Sequence, residues 1–400
     1  MDAMVFILAH PHLFEDIKRY TGFYKVVVIS KKSKVDRQRL KTVFDEIIEV
    51  GSVYDEEEVD QAVAGILSKR KIKAIYGWYE FTIEIAGRLR SKFNIPGMKE
   101  KETLQVRNKA LMKNVMKENG IPTADFMILN TLRDRLRFIA KLNKPMVIKP
   151  IDGAGTEYTC KVDGFQDFFK RKTLRVMFKN KTILAESFIE GEEYHCNSVV
   201  VGGKVIFSCV SKYLCNCLSA IGSKIPWGEI CYPASFDGNE VIRNIKNLNE
   251  RAIRALNIQN SVCHLEAFVD KENNVALGEI AVRIGGSPML PETVKNTYGV
   301  DLHRAFVDLE MQNYSHHYDP KSVFTGWVTF PSKRGTIVEI SSEADYADVE
   351  GLVKVEILNK VGDRLNMRKN TSIRTGYIVI EDADYEQLIK KLFDVCDCFQ

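Results

Sequence analysis

Short apolar, β-branched runs open the chain at residues 4–9, 25–29 and 72–76, separated by stretches with helical spacing at 35–44 and 55–70. The second stretch begins with Asp55, Glu56, Glu57 and Glu58, acids that suit the positive end of a helix. Strand and helix alternating in this way predict a small parallel sheet. Apolar positions recur at helical spacing over 80–92 until Asn94-Ile-Pro-Gly97 interrupts them, and one further helix is expected over 101–118, stopped by Asn119-Gly-Ile-Pro122. Strands are expected at 124–129 and 145–149 around a helix at 131–142, then at 182–189. An amphipathic helix covers 239–257, and another runs from Ser287-Pro288 to about residue 312. Beyond 320, short β runs at 323–330, 335–340, 352–357 and 376–380 and a helix at 383–393 read as a small α+β module.

The most informative pattern lies at 263–286. Alternation along Cys263-His-Leu-Glu-Ala-Phe-Val-Asp270 puts His264, Glu266 and Phe268 on one face. The same rule groups Val275, Leu277, Glu279, Ala281 and Arg283 against Ala276, Gly278, Ile280, Val282 and Ile284. The polar turn Lys271-Glu-Asn-Asn274 joins the two runs, so an antiparallel hairpin would set Glu266 beside Glu279. Converging carboxylates repel unless a cation sits between them, and oxygen ligands suit a magnesium ion that also bridges phosphates. The other reading is a surface hairpin with solvated acids.

Two further stretches carry polar chemistry. The strand ending in Lys149 runs into Pro150-Ile-Asp-Gly-Ala-Gly-Thr156, a loop whose backbone N–H groups can cradle phosphate oxygens while the lysine neutralises them. The lysine precedes the glycines, so this is not a P-loop. Alternation after Glu190 groups Glu193, His195 and Asn197 on one face, where they need solvent, partners or a ligand. The stretch 208–232 reads as a strand followed by a long loop that helps select substrate. His10 and His12 follow the first strand, where a parallel sheet opens, as substrate contacts or plain loop histidines; Lys212, Lys224 and Arg254 stand between an acidic substrate and ordinary solvation.

Composition narrows the field. Four hundred residues exceed a single ordinary domain, and Lys plus Arg number 57 against 53 Asp plus Glu, a balance that gives no reason to propose nucleic acid or a membrane surface. No apolar run is long enough to span a bilayer, and the opening Met-Asp-Ala-Met reads as the approach to a first strand rather than a leader. The nine cysteines lack zinc-finger spacing and suit reduced thiols and a cytoplasmic location.

Taken in order, Lys109, Lys149 with its glycine loop, Glu186-Ser-Phe-Ile189, Glu193, Glu266, and Glu279 with Arg283 resemble the ATP-grasp superfamily. The resemblance implies an N-terminal parallel α/β domain over 1–98, an ATP-grasp region over 99–320 with an ATP-clamping lid at about 120–190, and a C-terminal α+β module over 321–400. It implies adenine at the 186–189 hinge, with Glu186, Phe188 and Ile189, and Glu193 at the ribose. Lys109, Lys149, Gly153, Gly155 and Thr156 would contact ATP, Glu266 and Glu279 would bind Mg2+ (with Mn2+ an admissible substitute), and Arg283 with Lys149 would be catalytic. His195, His264, Gly285 and Gly286 are the substrate candidates. Many superfamily members carry asparagine two residues after the second metal carboxylate; here that position is Ala281, and Glu-x-Ala-x-Arg-x-Gly-Gly resembles the version in bacterial L-amino-acid ligases that make dipeptides. The implied activity is an ATP-dependent carboxylate–amine ligase passing through an acyl phosphate. Aminoacyl transfer to a carrier protein and a non-catalytic ATP-binding regulator are the competing readings, and a homodimer is an expected assembly.

Overall fold

The computed structural model describes residues 1–8, 10–140, 142, 144–170, 182–221, 226–286, 288–331, 334–365 and 374–399. The N-terminal sheet contains β1 (Ala3–Ile7), β2 (Tyr24–Ser30), β3 (Glu46–Val50) and β4 (Ile72–Gly77), all parallel, in the order β3-β2-β1-β4. Met4, Phe6, Val27 and Ile29 pack on one face and Val5, Ile7, Val26 and Val28 on the other. Burial on both faces explains why β1 and β2 read as continuous apolar runs. β3 was absent from the expectation because it is an edge strand: Glu46 and Glu49 interrupt its apolar pattern. The helix expected over 35–44 is only Arg37–Lys41, started by the Asp36 carboxylate, which accepts from the Gln38 and Arg39 amides.

The helix at Glu80–Lys92 follows expectation, but the one expected over 101–118 is two, Glu100–Arg107 and Lys109–Glu118. Asn108 is extended (φ −83°, ψ 105°), and its Oδ1 accepts from Ala110 N at 3.0 Å and Leu111 N at 3.1 Å, capping a new helix. Lys109 thereby becomes the first residue of that helix.

An antiparallel sheet follows, with β5 (Phe126–Ile128), β6 (Met146–Pro150), β7 (Cys160–Val162) and β8 (Ile183–Ser187) in the order β5-β8-β6-β7. It has its own core of Leu129, Phe138, Ile148, Val162 and Ala185. The largest sheet contains β9 (Glu192–Val201), β10 (Lys204–Tyr213), β11 (Gly228–Cys231), β12 (Ser261–Val269), β13 (Val275–Ala281) and β14 (Phe324–Thr329), continued by Gly376–Asp382 and Leu352–Ile357. The C-terminal α+β residues therefore extend this sheet rather than building a large one of their own. The strand expected over 335–340 shrinks to Gly335–Thr336, paired with Arg364–Leu365.

In the 208–232 stretch, the strand gives way to a short helix, Cys217–Ala220, before β11. The helix Glu240–Ala255 buries Ile245, Leu248 and Ala252 against Leu265, Leu277 and Ile280. The helix expected to run to 312 divides into Met289–Tyr298 and Leu302–Glu310, because Gly299 is left-handed at φ +70°.

The hairpin register is as expected: Glu266 lies directly opposite Glu279, and His264 opposite Ala281. One part of the face assignment is corrected. The register jumps from Glu266↔Glu279 to Ala267↔Leu277, making Gly278 the extra residue of a bulge. Leu277 and Ile280 consequently both enter the core, while Glu279 faces the opposite way, towards Lys109. A side chain at 278 would meet Phe268 Cε2 at 2.9 Å, so glycine is what the bulge requires.

Candidate functional site

Two cavities meet at Arg283. The smaller, about 430 Å³, lies between the β5–β8 sheet and the β12–β13 hairpin; the larger, about 1020 Å³, opens beside the carboxyl ends of β1 and β4. Arg283, Gly286 and the loop residues Gly153 and Gly155 line both. The smaller cavity gathers Lys109, Lys149, Thr156, Glu186, Phe188, Ile189, Glu193, His264, Glu266 and Glu279 as well. Among the residues expected in the site, His195 and Gly285 do not line it.

The lysines are held by specific acceptors. Lys109 donates through Nζ to Gly153 O at 2.7 Å and Glu279 Oε1 at 3.0 Å, tying the glycine loop to the hairpin. Lys149 reaches Glu186 Oε1 at 3.0 Å, and burial, which opposes its charge, is outweighed by Glu186 and Glu279, so its pKa is raised. Lys113, overlooked in the sequence, stands one helical turn after Lys109, donates to Thr123 Oγ1 at 2.9 Å and Gly278 O at 3.2 Å, and lies 3.5 Å from Glu186. Burial lowers its pKa to about 8, with Glu186 opposing the shift. Its i, i+4 spacing from Lys109 was the available signal. Glu186 is therefore an electrostatic anchor for two lysines, in addition to any role beside adenine. Glu193 accepts from Cys217 N at 2.7 Å, and burial together with the Glu266 carboxylate pushes it up to about 8.

Arg283 depends on a residue that local patterning did not mark. Glu80, the first residue of the helix after β4, accepts from Arg283 Nε through one oxygen and from Arg107 Nη1 at 3.0 Å through the other. Burial favours the neutral acid, but the Arg283 and Arg107 guanidinium groups prevail and hold Glu80 at about 2. Arg283 Nη1 also donates to Ile284 O at 2.8 Å. The N-terminal domain thus orients the hairpin's arginine.

The expected substrate role of His195 is corrected: the ring is wholly buried, with Nε2 2.6 Å from Glu229 Oε2. Asn197 links it to His264 through contacts of 3.1 Å to His195 Nδ1 and 2.9 Å to His264 Nδ1. His264 faces the smaller cavity instead of the larger one. Gly285 packs on its ring: a Cβ there would meet Nδ1 at 2.4 Å. Lys212 pairs with Glu192 at 2.6 Å and Arg254 with Glu250 at 3.6 Å, and Lys224 lies outside the described residues. His10 does line the larger cavity, stacked on Trp78 with centroids 5.5 Å apart.

For a divalent cation, the fit rests on Glu266 and Glu279. They are cross-strand neighbours, 33% and 23% exposed, in a cavity that also holds lysines suited to phosphate. Among the described residues, no three His, Cys, Asp or Glu side chains are arranged to hold a metal by themselves. This donor set suits an ion that shares its shell with phosphate oxygens rather than a closed structural site. Among the described residues, no helix is long and apolar enough to cross a membrane.

The family model for the ATP-grasp domain matches residues 106–266, a span holding both lysines, the glycine loop, Glu193 and Glu266. These residues match an ATP-grasp domain, and the chain around them has the ATP-grasp fold. The chain is similar to bacterial L-amino-acid ligases. An L-arginine-specific L-amino acid ligase of Bacillus subtilis is 27% identical over 351 residues, covering 86% of this chain and 84% of the relative. The crystal structure of an L-amino acid ligase from Bacillus licheniformis superposes with a TM-score of 0.82 at 20% identity, covering 100% of this chain and 98% of that one. Phosphoribosylglycinamide synthetase from Anaerococcus prevotii has the same fold, with a TM-score of 0.72 at 17% identity and coverage of 100% and 98%.

Proposed function

We propose that the protein is an ATP-dependent carboxylate–amine ligase that activates an amino acid or related small carboxylate as an acyl phosphate and joins it to an amine. The observation that carries this reading is the position of Arg283 on the wall shared by the two cavities. A nucleotide in the smaller cavity would present its γ-phosphate where a carboxylate from the larger one arrives. Both groups are anionic, so their approach needs preorganised positive charge.

Arg283, held by Glu80, and the two lysines would supply it. The carboxylate oxygen attacks the γ-phosphorus and ADP leaves; the amine then attacks the acyl carbon and phosphate leaves. Arg283 offers donors that can follow the phosphoryl oxygens through both steps. Magnesium, when bound by Glu266 and Glu279, adds charge neutralisation at the phosphates. The β5–β8 sheet, with the glycine loop reaching Lys109, would serve as the lid that keeps water from the acyl phosphate.

The larger cavity also suggests where to look for substrate. Its lining includes Glu100, Asp152 and Glu157 with the rings of Tyr54, Tyr79 and Phe81, alongside Arg88, Arg107 and Arg374, so acidic and aromatic groups are at hand for a cationic side chain and guanidinium groups for a carboxylate. The Bacillus subtilis relative is named for arginine, so basic amino acids head the panel. The test is ADP release with amino acids singly and in pairs, with products read by mass spectrometry. Amino-acid-dependent ADP release with a condensed product is expected. Silence across the panel, and with carrier-protein acceptors added, would sink the ligase reading.

A further inference from the structure

The buried polar chain Glu229–His195–Asn197–His264 ends beside Glu266, and nothing in the ligase chemistry above requires it. It crosses neighbouring strands β11, β10, β9 and β12, with its residues on β11, β9 and β12, and its contacts are 2.6, 3.1 and 2.9 Å long. A buried carboxylate, two imidazoles and an amide are costly to enclose unless their donors and acceptors match. With the Asn197 amide as placed, they match in the following direction. His195 Nε2–H donates to Glu229, Asn197 Nδ2–H donates to His195 Nδ1, and His264 Nδ1–H donates to Asn197 Oδ1.

That direction leaves a lone pair on His264 Nε2, which faces the smaller cavity 3.6 Å from Glu266 Oε1. The separation is longer than an ordinary N–H···O bond. It does suit two ligands of one ion: donors each about 2.1 Å from a metal stand roughly 3–3.5 Å apart at octahedral and tetrahedral angles. Ligating histidines commonly donate their other ring N–H to a fixed acceptor, as His264 does to Asn197. The ring is also clamped, because Gly285 closes on it and the small Ala281 lies opposite it in the ladder.

We propose that His264 is a nitrogen ligand, beside Glu266, of the divalent cation that accompanies the nucleotide, rather than a substrate contact. Phosphate oxygens and water complete the shell. A mixed nitrogen and oxygen set favours manganese or cobalt over magnesium, which prefers oxygen alone. This assignment rests on the proposed nucleotide site, and the two are separable by experiment.

The measurement is pulsed electron paramagnetic resonance of the full chain loaded with Mn2+ and ADP, with its histidines labelled with 15N. The expected result is a 31P coupling from ADP together with a 15N coupling of directly bound imidazole. His264→Gln should remove the 15N coupling, keep the 31P coupling, and weaken Mn2+ binding by at least about 10–100-fold. A 31P coupling without 15N coupling in the unsubstituted protein overturns the role of His264 and leaves the nucleotide site standing. The reversed Asn197 amide, which would put a proton on Nε2, predicts that same result. Loss of both couplings overturns the nucleotide site and this proposal with it.

Discussion

Replacing Glu80 by glutamine removes charge from a site where two guanidinium groups converge on one carboxylate. Arg107 and Glu80 are 5% and 7% exposed at the side chain, and Arg283 is 23% exposed. Holding the carboxyl at about 2 instead of 4.5 is worth about 3 kcal/mol at neutral pH. Breaking a buried ion pair from one side independently costs about 3–5 kcal/mol. The folded-state pKa is lowered, so this stabilisation is fully present above pH 4.5 and is lost as pH falls towards 2. Urea unfolding of both proteins at pH 7 should place Glu80→Gln about 3 kcal/mol below the parent, and the gap should close below pH 4.5. In the ligase assay, kcat/KM should fall about 100-fold, because Arg283 loses the partner that aims it. A stability difference under about 1 kcal/mol, or one independent of pH down to 3, would refute the view that Glu80 is a charged bridge.

Glu279→Gln removes a proposed metal carboxylate and the partner of Lys109 at 3.0 Å; activity should fall about 100-fold, and unchanged metal dependence in a titration would contradict the assignment. Gly285→Ala places a Cβ 2.4 Å from His264 Nδ1, so thermal unfolding should show a loss of about 1–3 kcal/mol, and an unaltered melting temperature would show that the ring is not clamped. Burial lowers the pKa of His10 to about 3 and of His303 to about 4, so the unfolded chain takes up more protons below pH 6.5. Stability should therefore fall with pH from 6.5 by up to about 1.4 kcal/mol per unit for each ring. His10→Phe should flatten that slope in melting curves between pH 6.5 and 4.

The reaction side of the site was more legible than its support. Glu266 and Glu279 could be paired from alternation and a four-residue polar turn, because hairpin register is a short-range property. Lys109 was located without the helix break that positions it, since Asn108 is also compatible with a helix interior. Lys113 went unmarked because a lysine on a helix is ordinarily solvated, and only its enclosure against Glu186 and Gly278 makes it distinctive. The two cavities sort the candidates by location, with His264 on the smaller and His10 on the larger.

By itself the sequence determined the strand and helix alternation, the phosphate-type loop after Lys149, the facing carboxylates and the superfamily those features resemble. These follow from side-chain periodicity and turn chemistry over a few residues. Only the tertiary structure decided that Glu80 holds Arg283 across 203 residues, that Gly278 bulges to turn Glu279 away from the core, and that His264 lines the smaller cavity while His195 does not. Those outcomes depend on which distant surfaces exclude water together, and a buried charge finds its partner in space without regard to separation along the chain.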